Sequence, residues 1–224
     1  MGRGQIPSSP DTAVTYRAPA PDCPLCPRLV GYRDSNRAAN PAWFNGAVPS
    51  FGPLDARLLV VGLAPGVRGA NRTGRPFTGD FAGTLLYQTL IKFGLAQGVY
   101  GADPADGIEM RDCRVTNAVR CVPPANLPTP AEVTCCSPYL VDELKAMPRL
   151  RVVLALGGVS HKAVLRARAL RASQAVFAHA AVHALPGGLL LADSYHVSRL
   201  NTNTGRLTTA MFEAVVADIV ARLS

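Results

Sequence analysis

Lysine is scarce in this sequence. It occurs only at Lys92, Lys145 and Lys162, so the net charge of +8 is almost wholly arginine. The bias of arginine over lysine reads as genome base composition, whereas the net charge equally suits a polyanionic partner, nucleic acid foremost. No apolar run approaches the length of a membrane span, and no signal-peptide apolar core follows the N-terminus. A cytoplasmic protein without membrane partners is expected. A GxGxxG fingerprint is missing, as are a P-loop lysine and paired acids to hold Mg²⁺, which argues against a nucleotide-dependent phosphotransferase. No internal repeat is present.

What is present is enough chain, 224 residues, to bury a sizeable core. Residues 1–21 are rich in Pro, Ser, Gly and Ala without apolar periodicity, which predicts a mobile tail ahead of one domain over 22–224. Four segments read as strands: the apolar run Arg57–Ala64, then Asp112–Val119, Arg151–Gly158 and Gly188–Ser198. Helical spacing covers Ala82–Leu95, Thr129–Met147, the stretch after Gly158 and Gly205–Leu223. The second of these opens with Thr129, Pro130 and Glu132, a capping-box start. The alternation predicts an α/β domain whose central four-stranded, mainly parallel sheet has helices on both faces. Ligands of such sheets bind beyond the carboxyl ends of the strands. The loop Gly62–Asp80, the stretch after Val119 and the stretch holding His196 should therefore meet at one edge.

Six cysteines stand at Cys23, Cys26, Cys113, Cys121, Cys135 and Cys136. A C-x2-C pair and, much later, a C-x14-C pair supply the four thiolates that tetrahedral zinc or a four-iron cluster requires. Spacing leaves the two open, and redox chemistry at CPLC is a further alternative. Either metal site would staple the N-terminal segment to the body.

Four separated motifs, CPLCPRLV, GLAPGVRGANRTGRPFTGD, RCVPPANLPTP and SYHVSRLNTNTGRLT, together resemble the family 5, or type B, uracil-DNA glycosylases, from about Cys23 to the C-terminal helix. Leu63 and Asp80 separate the chain from the related family 4, which carries an acidic residue in the first position and a PFVG-type sequence around the second. The resemblance implies a [4Fe-4S] cluster on Cys23, Cys26, Cys121 and Cys136. It also implies a monomeric DNA-repair enzyme that hydrolyses uracil, and other deaminated bases such as hypoxanthine and xanthine, out of DNA. The alternative is a non-catalytic, metal-stapled module that binds DNA lesions.

Excision needs a base drawn from the stack, a pocket to hold it and protection for an oxocarbenium-like sugar. Phe77 offers a stacking plane; by itself it reads as a loop phenylalanine folded into the core. Asp80 can orient or deprotonate water and stabilise the cation, and it also stands where a helix N-cap belongs. His196 is placed to donate to the uracil O2. Asn126 can read the base edge or hold a water, or simply make a turn. Backbone from Gly62, Leu63, Ala64 and Gly66 can contact the base. Arg72, Arg75, Arg199 and Arg206 flank the motifs and are expected to grip phosphates.

Overall fold

The computed structural model describes residues 16–224. Four five-residue strands, β1 (Leu58–Gly62), β4 (Cys113–Asn117), β5 (Val152–Leu156) and β7 (Leu190–Ser194), lie parallel. The first three are buried along their whole length, as strands covered on both faces must be. Register fixes which residues look which way: Leu58 aligns with Cys113 on one side and Val152 on the other. Leu58, Val60, Val115 and Leu154 then point to one face, and Leu59, Val61, Val153 and Ala155 to the other.

Helices α3 (Phe81–Lys92) and α7 (Thr209–Leu223) cover the first face through Leu86, Leu90, Phe212 and Val216. Helices α4 (Pro130–Ala146) and α5 (Gly158–Ala167) cover the second through Leu140, Leu144, Val164 and Leu165. Thr129 caps α4 with the expected reciprocal box, its hydroxyl accepting from Glu132 N–H while the Glu132 carboxylate accepts from Thr129 N–H. An N-terminal helix, α1 (Pro27–Ala39), joins the second face by Leu29. Among the described residues no helix is long and apolar enough to cross a membrane.

Three features depart from the sequence-based expectation. The main sheet has five strands, not four, in the order β4-β1-β5-β7-β6, because the short β6 (Val182–Ala184) pairs antiparallel on the edge of β7. Three partly exposed residues give no periodic signal. A separate two-stranded ladder, β2 (Ala96–Gln97) with β3 (Glu109–Met110), follows α3.

Lastly, the expected tail boundary at residue 21 lies too late. Residues 1–15 are outside the described residues, but Tyr16 already shares a hydrogen bond with Ser50 (3.3 Å) and stacks under the Arg114 guanidinium. Further on, Ala47 N–H donates to Pro21 O (2.8 Å).

Two buried polar networks tie the layers. Glu143 accepts from Arg114 (2.6 Å) and Arg120 (2.5 Å), which burial makes an all-or-nothing arrangement. Asp193 on β7 lies 2.8 Å from His161 of α5 and 3.2 Å from His183 of β6, clipping the edge strand to the helix layer.

Candidate active site

The carboxyl ends of β1, β4 and β7 open into one cleft of about 480 Å³. Its wall takes Leu63, Ala64 and Gly66 from the loop after β1, Phe77 and Asp80 from further along that loop, Asn117 from the end of β4, Asn126 from the turn beyond, and His196 from the segment after β7. The three post-strand segments thus meet where the parallel topology places a ligand.

Phe77 has a left-handed backbone (φ 51°), a strained state for a bulky residue, and its surroundings hold it there. Tyr100 O–H donates to its carbonyl (3.0 Å), and a Cβ on Gly83 would stand 1.8 Å from that same oxygen. The ring is 7% exposed and its centroid lies 6.1 Å from the His196 ring at 31°. Gly62 does not line the cleft as expected, because Phe77 and Asn117 cover it. A Cβ there would meet Phe77 Cζ and Asn117 Oδ1, each at 2.4 Å. Glycine at 62 is what lets the aromatic wall and a polar amide sit side by side.

Asp80 caps α3, accepting from Gly83 N–H at 3.4 Å. Burial raises its pKa above the ordinary 3.8, partly offset by the Gly83 and Ala82 N–H groups. Two glycines make room for the carboxylate: a Cβ on Gly66 would lie 2.9 Å from Asp80 Oδ2, and one on Gly69 2.1 Å. Gly69→Ala is expected to push that oxygen aside.

His196 is desolvated, which lowers its pKa to about 4 and keeps the ring neutral at pH 7. Asn201 Nδ2 donates to its carbonyl (2.8 Å). Asn126 sits exposed on the rim in a turn where both it and Ala125 have positive φ (57° and 54°).

The four arginines separate. Arg199 is exposed at the mouth, over the Phe81 ring at 5.4 Å. Arg206 is exposed and covers the Tyr195 ring at 4.6 Å. Arg72 is exposed but outside the cleft, its Nε donating to Arg68 O (2.9 Å). Arg75 is not available to phosphates: it is 6% exposed, makes a bidentate pair with Asp106 (2.7 Å each) and packs against Phe51 and Tyr87. Charge in a glycine-rich loop looked like surface, whereas its carboxylate partner is 31 residues away.

Two residues not singled out from the sequence belong to the site. Asn117 reads as one of the polar positions within a strand, and only its place at the carboxyl end marks it. Arg68 is exposed on the cleft wall. Leu200, which follows Arg199 in the chain, does not line the cleft and is 72% exposed. None of the three lysines lines the cleft; Lys92 pairs with Glu213 (2.6 Å).

Away from the cleft, Cys23, Cys26, Cys121, Cys135 and Cys136 wall a second cavity between α1, α4 and the segment after β4. Burial pushes the Cys26 thiol up to about 12 and Cys121 to about 11, with neighbouring thiols adding to both. Cys113 is remote from this group, fully buried on β4.

The model of the uracil DNA glycosylase superfamily matches residues 49–220. A type-5 uracil-DNA glycosylase of Thermus thermophilus is 46% identical over 202 residues, 88% of this chain and 91% of that protein. One from Pyrobaculum aerophilum is 44% identical over 199 residues, 87% and 86% of the two chains. A type-4 enzyme of the same archaeon is 35% identical over 154 residues, 68% of this chain and 64% of that protein. The chain belongs to the uracil-DNA glycosylase superfamily, in its type-5 branch.

Proposed function

We propose that the cleft excises uracil from DNA by hydrolysing its N-glycosidic bond and leaves an abasic site. The observation that carries this reading is the convergence of an aromatic wall, an amide, a neutral imidazole and a desolvated carboxylate on one cleft. Extrusion of a base costs a few kcal/mol, least at a mismatch. Stacking on Phe77 returns about 1–3 kcal/mol of it. The Asn117 amide carries both a donor and an acceptor, as the O4 and N3–H edge of uracil requires. His196, uncharged, donates a hydrogen bond to O2 and so stabilises the departing uracil anion without first losing a proton to solvent.

Asp80 supplies the charge. Ionised, it orients or deprotonates water and offsets the positive charge that develops at the sugar. Asn126 on the rim reads the base edge or holds a water. Arg199 and Arg68 at the cleft and Arg206 beyond it meet phosphates, and the exposed Leu200 is the apolar side chain available to enter the vacated stack. With no lysine on the cleft wall there is no amine to form a Schiff base, so the enzyme is monofunctional. The cleft's volume lies in the range of small-molecule sites and leaves room for a bicyclic base, which supports hypoxanthine and xanthine as further substrates.

A [4Fe-4S] cluster suits the cysteine cavity. Cys23, Cys26, Cys121 and Cys136 would hold it, and its contribution is structural. Burial raises the thiol pKa of Cys26, Cys121 and Cys136, so thiolates gathered in this apolar cavity call for a cation to neutralise them. Arg33 Nε–H is buried without a partner beside Cys121, a donor that suits a cluster thiolate.

The pH dependence of kcat/KM on a panel of uracil, hypoxanthine and xanthine duplexes tests the assignments. Asp80 must be ionised, and burial raises its pKa, so activity falls as pH drops through a value above the ordinary 3.8. His196 is already neutral above about 5 and adds no limb near 6.5. A limb near 6.5 that vanishes in His196→Ala contradicts this, and a protein inactive on the whole panel removes the enzymatic reading.

A further inference from the structure

His196 enters the cleft two residues after β7 ends, so whatever holds the backbone at Tyr195 sets its position. On the inner edge of β7 the hold is ordinary: Gly157 N–H of the β5 side donates to Ser194 O (2.8 Å). On the outer edge the ladder with β6 runs past its last paired residues, with Asp193 N–H donating to Ala181 O and Ala180 N–H to Asp193 O (2.9 Å each). There the chain turns away, with Ala180 in the left-handed region (φ 64°). The next donor on this edge is Tyr195 N–H, and no strand carbonyl follows to accept it. His179 Nδ1 accepts it instead, at 3.2 Å.

That bond assigns the ring's state. An accepting Nδ1 carries no proton, so the ring is neutral with its proton on Nε2. Burial acts in the same direction, lowering the ring's pKa below 6.5. The imidazole also lies flat on Tyr195, with centroids 4.9 Å apart and planes 13° apart, and Arg206 covers the same phenol ring. On the far side of His196, its carbonyl is tied to Asn201 and Val197 is fully buried.

We propose that His179 is a positioning residue for His196. Its Nδ1 replaces the strand carbonyl that the β6 edge lacks, and its stacked ring sets the height at which the backbone delivers His196 to the cleft. The proposal rests on the reading of His196 as the donor to the departing base.

The test compares His179→Ala, His179→Leu and His179→Asn with the wild-type holoenzyme. It measures single-turnover uracil excision, affinity for a duplex carrying non-cleavable 2′-fluoro-deoxyuridine, and melting temperature. Alanine and leucine are expected to slow excision about 10–100-fold, the scale of a small misplacement of a reacting group, with affinity unchanged within about 2-fold. Asparagine, whose Oδ1 can accept where Nδ1 did, is expected to recover most of the rate. Wild-type excision by the alanine variant overturns the proposal. So does an asparagine variant no faster than alanine, or a loss explained by the fraction unfolded. His196→Ala serves as the control: if it excises at the wild-type rate, the underlying reading fails, whereas a slow His196→Ala beside an unimpaired His179→Ala sinks this proposal alone.

Discussion

Asp80→Asn is expected to lower the single-turnover rate of uracil excision by about 10³-fold while the protein binds a uracil-containing duplex as tightly as before. The substitution separates two roles that one side chain holds. Asparagine is as good an N-cap as aspartate, so the Gly83 N–H keeps its acceptor and α3 keeps its start. Its size is the same, so the space left by Gly66 and Gly69 still fits. What disappears is the negative charge beside the sugar and the ability to take a proton. Asp80→Ala, by contrast, would also cost about 1 kcal/mol of helix stability through the lost cap. If Asp80→Asn excised uracil at nearly the wild-type rate, Asp80 would be a cap and no more; a wild type that excised no uracil would instead favour the lesion-binding module.

Cys121→Ser is expected to yield protein that has lost its iron and brown colour and melts about 10 °C lower. The cavity joins chain from α1, from the segment after β4 and from α4, so a cluster there closes a loop of roughly a hundred residues. A covalent link across such a loop is worth about 4–5 kcal/mol, which for a domain of this length corresponds to about 10 °C or more. The segment's other ties to the body include Leu29 in the core and Arg28, which pairs with Glu132 (2.7 Å) and donates to Leu127 O (3.0 Å). Cys113→Ala should keep both the colour and the iron, since its thiol points into the opposite core. A colourless wild-type protein with one zinc per chain would overturn the cluster reading while leaving the staple in place.

How much of this could be read from the sequence varied by the kind of signal. Strands β1 and β5 were the most legible, because burial on both faces demands unbroken apolar runs, here LLVVG and VVLAL. Local chemistry was legible too: Thr129 and Asp80 cap their helices because those side chains satisfy free N–H groups within three residues. Position followed from topology, since chain leaving parallel strands must gather at one edge. Long-range pairing was not legible. Arg75 looked like a phosphate ligand because nothing nearby in the chain announces Asp106, and Tyr16 looked like tail because its contacts are with Ser50 and Arg114. Asn117 is one of three polar residues in a strand of five, and β6 is too short for any period. Gly69 is in the same position: its value lies in the Cβ it lacks, which no sequence pattern shows.

The central claim is hydrolytic base excision, and it is tested most directly by one incubation of the wild-type protein with a uracil-containing duplex. Free uracil is measured by mass and strand integrity by denaturing gel, with and without borohydride. Stoichiometric uracil, an intact strand that breaks only on alkaline treatment, and no trapped protein–DNA adduct are the predicted result. Absence of free uracil, or a strand nicked by the protein itself and trapped by borohydride, would contradict it.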